Sequence, residues 1–409
     1  MSSDPGIETA PYSVADARAL GSVATQFFVN GAAFASFVPR LPEIRERIGV
    51  GLDGLGVLMT IAITIGTVGS LQSPALIARF GTRRTLIVGG VVLALALPIV
   101  GFATAPWMFV VGAGAMFVAD GLVDVSMNLQ GSWLSARRHA PVMNRLHGLW
   151  SLGTVVGGLV AAQLASAGVS LELHLTVVAT LMAAAIVYVG RGLLSTDEEH
   201  HDAPDDVDLA PADVGDHPRR TRAARTTLMV LALSGAFSIT LELVSSDWAA
   251  FRLTEDFGAS AGFAVLGFVA FTAGMTIGRL GGDSVVLRMG GERLLRAAIV
   301  VSGIGLAAAA FTPNRWMVLV AYLVAGVGIS TLFPRLYDDA ARFRGRRGAG
   351  LAWLRSGSSL TALVIPTLVG VLAATSLSVG TATAIVTLPC VAGLFMLSLR
   401  TTTANSAAR

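Results

Sequence analysis

Twelve stretches of this chain are apolar over about 20 residues, the length a helix needs to cross the hydrocarbon core of a bilayer. No other feature restricts the fold as severely. The runs begin near Ala17, Asp53, Thr85, Trp107, Asn144 and Leu171, and then near Thr226, Ser260, Leu294, Arg315, Ala349 and Leu377. Backbone groups in lipid need internal hydrogen-bond partners, and segments of this length satisfy them as helices. Composition agrees: 54% of residues are hydrophobic, 13% are charged and the mean hydropathy is +0.70, well outside soluble globular usage. The expected fold class is therefore an all-α membrane protein with twelve transmembrane helices.

Between the two sets of six runs lies a stretch rich in Asp, Glu, His and Pro without apolar periodicity. The expected organisation is a cytoplasmic tail at 1–16, a six-helix bundle at 17–193, an acidic disordered linker at 194–224, a second six-helix bundle at 225–400 and a tail at 401–409. Residues ahead of Ala17 include Asp4, Glu8 and Asp16 and lack the basic region of a cleaved signal, so the first helix should be retained. All 29 basic residues are arginine. With both termini in the cytoplasm, only Arg40, Arg45, Arg47, Arg252 and Arg315 fall on outer loops, Arg355 lies within a helix, and the rest lie inside, as the positive-inside rule requires. A net charge of +3 is too small to argue for a nucleic-acid partner, and the single cysteine, Cys390, allows neither an intrachain disulfide nor a thiolate metal cluster.

The two halves repeat each other. A shift of 209 residues lays Gly69, Leu71, Arg79, Gly81, Arg84 and Leu86 on Gly278, Leu280, Arg288, Gly290, Arg293 and Leu295. Both segments are the turn after the second helix of their half, so the repeat is parallel. Parallel six-helix repeats point to a carrier that rocks about a central site.

Here the chain resembles the major facilitator superfamily along all twelve helices. The turn carrying Arg79, Gly81, Arg83 and Arg84 is similar to that family's cytoplasmic loop motif; its counterpart carries Asp283, Arg288 and Gly290. Pro74 and Ala78 stand where the motif has glycine and aspartate, so the resemblance does not extend to an acid-mediated lock between the halves at that turn. Runs at Val38–Ile44, Asp124–Asn128 and His147–Gly153 resemble a fucose-permease-like branch of bacterial inner-membrane transporters. The resemblance implies a monomer in the bacterial cytoplasmic membrane, without a cofactor.

Candidate site residues come from polar groups at membrane depth. Asp120, Asp124 and Asn128 recur at steps of four along the fourth run and share one helix face. Asp120 sits about 20 Å into its helix, near mid-membrane. Two carboxylates one turn apart and away from bulk water suit a proton-coupling site; the alternative is that one of them only holds an inter-helix partner such as Asn30. The tenth helix carries Ser330, a candidate substrate contact along with Asn30, Asn128, Glu242, Trp248 and Arg355, and Thr331 but no acid, which leaves proton chemistry to the first half. The seventh run ends with Glu242, Asp247 and Trp248. Glu242 reads either as a cavity residue or as half of an arginine pair, and Trp248 as an interfacial belt residue in preference to a ring that stacks on substrate. Arg355 could bind an anionic group or answer a cavity acid, or its head could reach the interface along an apolar stem. The histidines of the linker, His200, His201 and His217, read as part of a solvated tether.

Energy from nucleotide hydrolysis is not expected, because no GxxxxGK[ST] loop is present. HExxH is absent as well, and the one GxSxG match, Gly258 to Gly262, has no strand before it, as a nucleophile elbow requires. The reading is a secondary transporter, not an enzyme, moving a small sugar-like or polyol solute with protons. A proton-driven exporter and a transporter-derived sensor or membrane-embedded enzyme remain as rivals.

Overall fold

The computed structural model describes residues 13–138, 142–195, 218–341, 343 and 349–406; of these, the side chains of 144, 218–223, 282–288, 338, 341 and 400–406 are not described. Among the described residues there are fifteen α-helices and no strand. The first half comprises α1 (Val14–Phe37), α2 (Leu41–Ile48), α3 (Leu52–Ser70), α4 (Ser73–Gly101), α5 (Pro106–Arg137), α6 (Met143–Ser166) and α7 (Leu171–Gly192). The second comprises α8 (Pro218–Asp247), α9 (Ala249–Phe257), α10 (Ala261–Met289), α11 (Gly291–Phe311), α12 (Arg315–Ile329), α13 (Leu332–Ala341), α14 (Ala349–Ala373) and α15 (Val379–Ser406). Helix thus begins at Pro218, inside the stretch read as linker, and continues to Ser406, inside the stretch read as tail. Residues 196–217, with the three linker histidines, lie outside the described residues.

Eleven helices are long and apolar enough to cross a membrane, α12 and α13 doing so together, and α1 completes the twelve. The lower apolarity of α1 has a structural reason. Its Ser22, Gln26 and Asn30 recur every four residues and all are buried inside the bundle, so this helix presents a polar stripe to protein and not to lipid. Capping at its start is complete: Ser13 accepts from the Asp16 amide while the Asp16 carboxylate accepts from the Ser13 amide.

Small residues let the helices approach. Gly31 of α1 lies against the Trp150 carbonyl of α6, and Gly153 and Gly157 lie against Phe28 and Ala32, so a methyl at any of the three would collide with backbone. In the second half, Gly274 packs on Leu323 and Gly326 on Phe271 in the same manner. Between halves, α3 meets α14, with Gly56 against Pro366, Gly370 against Leu52 and the Thr60 hydroxyl 2.8 Å from that of Thr367. Arg45 on α2 pairs with Glu255 on α9 at 2.9 Å and joins the halves at the end of the bundle away from the start of α1.

The internal repeat is visible in the backbone. Gly81 (φ 78°, ψ 162°) and Gly290 (φ 80°, ψ 150°), 209 residues apart, share a conformation open essentially to glycine alone. The Gly81 kink splits α4 so that a short helix at 73–80 precedes the spanning part, and Gly290 separates α10 from α11. The invariant geometry explains why each turn has glycine after its arginine. A methyl at Gly290 would meet nothing within 4 Å, so Gly290→Ala should cost only backbone strain, about 1–3 kcal/mol. Gly281→Ala, in equally open space at ordinary helical φ, is the control; equal melting of the two variants in detergent would contradict this account.

Candidate functional site

The carboxylate stripe lies on α5 between the halves. Asn30 Nδ2 donates to Asp120 Oδ1 at 3.0 Å, so the inter-helix partner considered from sequence is in place. One turn on, Asn128 Nδ2 donates to Asp124 Oδ1 at 2.9 Å and to the Asp124 carbonyl at 2.8 Å. Asp124 also feels the charge of Arg355 from α14, across the divide between halves. Arg355 is itself solvent-accessible.

A cavity of about 240 Å³ opens between the halves beside this stripe. Asp120 reaches it from α5 and Asp247 from the end of α8, with Phe34, Met59, Phe117 and Leu243 among its apolar walls. The Ser246 hydroxyl donates to Asp247 Oδ1 at 2.7 Å. Asp247 is therefore brought to the same space as Asp120, although the two are far apart in sequence.

Glu242, one turn and a half before Asp247, adopts the arginine-paired alternative. Its carboxylate lies 3.7 Å from Arg279 of α10, and Arg279 Nη1 donates to the Ser151 hydroxyl of α6 at 3.0 Å. Arg279 thus ties the second half to the first. Sequence reading counted it with the inner ends of helices, since it sits near the close of an apolar run. The clue was an arginine directly after Gly274 and Gly278, glycines that bring the helix close to its neighbour. His147 lies near Arg279, and its ring meets Phe27 edge-on at 5.2 Å.

Two residues sit elsewhere than expected. Trp248 is only 4% exposed and packs on Phe251 with ring centroids 5.1 Å apart, inside the core shared by both halves, so it is not in a lipid-facing belt. The physical reason is that Trp248 caps the start of α9, whose Phe251 packs on its ring. Ser330 is buried against Gly278, its hydroxyl donating to the Val327 carbonyl at 2.7 Å, and it does not line the cavity. In the loop motif, Arg83 Nε donates to the Gly190 carbonyl at 2.8 Å, and Arg79 lies 5.1 Å from the centre of the Phe80 ring. The side chains of Asp283 and Arg288 are outside the described set.

Comparison with known proteins places this architecture. An uncharacterised MFS-type transporter of Yersinia pestis is 27% identical over 315 residues, covering 77% of this chain and 78% of that protein. The membrane protein MosC of Rhizobium meliloti is 25% identical over 325 residues, covering 78% and 75%. Among solved structures, the nucleoside transporter NupG superposes with a TM-score of 0.70 at 12% identity, covering 96% of this chain and 99% of that one. The fucose:proton symporter FucP of E. coli does so with a TM-score of 0.58 at 16% identity, covering 92% and 97%. At such identities these two likenesses show the fold alone. A profile of the Major Facilitator Superfamily matches residues 23–334, more than half of the chain, and with the twelve-helix architecture this establishes that the protein belongs to that superfamily of multi-pass membrane transporters.

Proposed function

We propose that this transporter is a proton-coupled carrier of a small polar solute that works by alternating access, with Asp120 and Asp124 as the proton-carrying pair. The observation that carries the reading is the position of Asp120: it lies mid-way along a spanning helix, is held by Asn30 of α1, and borders the cavity between the halves. Ionisable groups in such a place serve as proton relays or solute contacts in membrane carriers. Asp124 lies within electrostatic range of Arg355 of the opposite half, a counter-charge whose distance changes when the halves rock.

The halves at 17–193 and 225–400 are the rocking bodies in this reading. Contacts of α2 with α9 and of α3 with α14 close one end of the path, and their release opens it. The solved fucose symporter and nucleoside transporter are carriers of small polar solutes, and the shared fold supports the same general class here. The direct test is proton movement into the lumen of vesicles, reported by a pH-sensitive dye, on addition of candidate solutes without any imposed gradient. Solute flux with no accompanying proton flux would dismiss coupling and leave facilitated transport.

A further inference from the structure

The cavity that Asp120 and Asp247 share has an unbalanced chemistry. Asp120 accepts a hydrogen bond from Asn30 and Asp247 accepts one from Ser246; among the described residues neither has a basic partner within salt-bridge distance. Among the described residues, none lining the cavity is basic. Asn30, only 6% exposed, spends its amide nitrogen on Asp120, and its Oδ1 is buried with no hydrogen-bond partner. Of the two lining hydroxyls among the described residues, that of Ser70 gives its proton to the Thr67 carbonyl and the other belongs to Thr67 itself. The polar side chains lining the cavity are thus two carboxylates from opposite halves and the hydroxyls of Thr67 and Ser70, so that its only charged groups are acceptors.

Apart from Thr67 and Ser70 the remaining walls are apolar, with Phe34, Met59, Ile63, Phe117 and Leu243 among them. A buried acceptor left unpaired costs free energy, and an uncompensated buried carboxylate costs more. The complementary ligand brings donors and positive charge at one end and hydrocarbon at the other. An ammonium group supplies three donors and no acceptor, and its hydrogen bonds to carboxylates are of the stronger, charge-assisted kind. A polyol fits less well, because most of its hydroxyls would face apolar wall without partners. We propose that the ligand of this cavity is a small organic amine, its ammonium group held by Asp120 and Asp247 and its hydrocarbon body against the Phe34, Met59 and Phe117 wall.

This inference narrows the solute of the transporter proposed above and rests on that reading of the cavity. A binding assay on purified protein in detergent separates the two, because binding reports ligand class whether or not transport follows. The panel consists of cyclohexylamine, benzylamine and N-methylcyclohexylamine, their hydroxyl isosteres cyclohexanol and benzyl alcohol, cyclohexanecarboxylate, and myo-inositol. The readout is calorimetric affinity, with gel filtration confirming that every variant is folded. At least one amine should bind ten-fold or more tightly than its hydroxyl isostere, with no binding of the carboxylate, and that preference should be lost in both Asp247→Asn and Asp120→Asn. The inference is overturned if no amine binds, if an alcohol, the carboxylate or inositol matches the amines, or if the asparagine variants keep the amine preference. Failure of solute flux in vesicles with amine binding intact would sink the transport reading alone.

Discussion

Asp120→Asn and Asp124→Asn should each abolish proton-driven accumulation, leaving solute in the vesicle lumen no more concentrated than outside, while the folded protein remains in the membrane. Asparagine keeps the size of aspartate and an oxygen that accepts, so the Asn30 bond at position 120 can persist, but an amide cannot take up and release a proton. Equilibrium exchange of labelled solute without a gradient should survive better than accumulation. Rocking of the loaded carrier needs no proton release, although Asp120→Asn should demand more solute because it also weakens the ammonium site. Asp124→Asn removes the charge that Arg355 attracts but keeps an acceptor for Asn128. Both single variants and the double variant are to be assayed for accumulation and exchange in the same vesicles. Normal accumulation in all three would make the stripe structural and move coupling to Glu242, Asp247 or outside the carboxylates.

The large-scale architecture was legible because lipid imposes strong rules. Twelve apolar runs gave twelve spanning helices, including α1, whose polar stripe makes it the least apolar of them. The 209-residue repeat was legible at Gly81 and Gly290, where the backbone demands glycine, and the structure extends it to Gly49 and Gly258, both left-handed helix ends at the same spacing. The partnership of Asn30 with Asp120 was also foreseeable, since each lies deep in a helix where a lone polar group would be costly.

Other features depend on where chain ends fold back, which hydropathy does not record. The short helices α2 and α9 read as loops in a search for spans, yet they cover the far end of the bundle and bury Arg40, Arg252 and Trp248. Asp247, the last residue of α8, borders the cavity just before α9 begins. Arg279 was hidden for a different reason: near the end of an apolar run an arginine satisfies the positive-inside rule, and sequence does not reveal that Glu242 and Ser151 lie within its reach.

The second large effect concerns α9. Arg252→Ala should destabilise the protein by about 3 kcal/mol or more, the usual result of removing one partner from a buried ion pair. Arg252 is 6% exposed; its Nη1 donates to Asp256 Oδ2 at 2.6 Å, and its other nitrogens donate to the carbonyls of Ala309, Ala310 and Thr312 at 3.0–3.2 Å. Asp256 in turn accepts from the amides of Val379 and Gly380 at 3.0 and 2.9 Å. One pair thus ties α9 to the end of α11 and the start of α15. The first half uses the same two positions of its short helix in reverse order: 209 residues earlier stand Glu43 and Arg47, and Arg47 donates to the Gly101 carbonyl at the end of α4 and pairs with Glu172 at the start of α7. Such clamps let each half move as a rigid unit, as rocking requires. Thermal unfolding in detergent should show Arg252→Ala melting well below the wild type and below Arg315→Ala, an exposed control. The double variant Arg252→Ala/Asp256→Asn should lose less than the two single losses combined, since no uncompensated carboxylate then remains. An Arg252→Ala protein that melts together with the control would show that the carbonyl and amide ends of these helices are satisfied without the clamp.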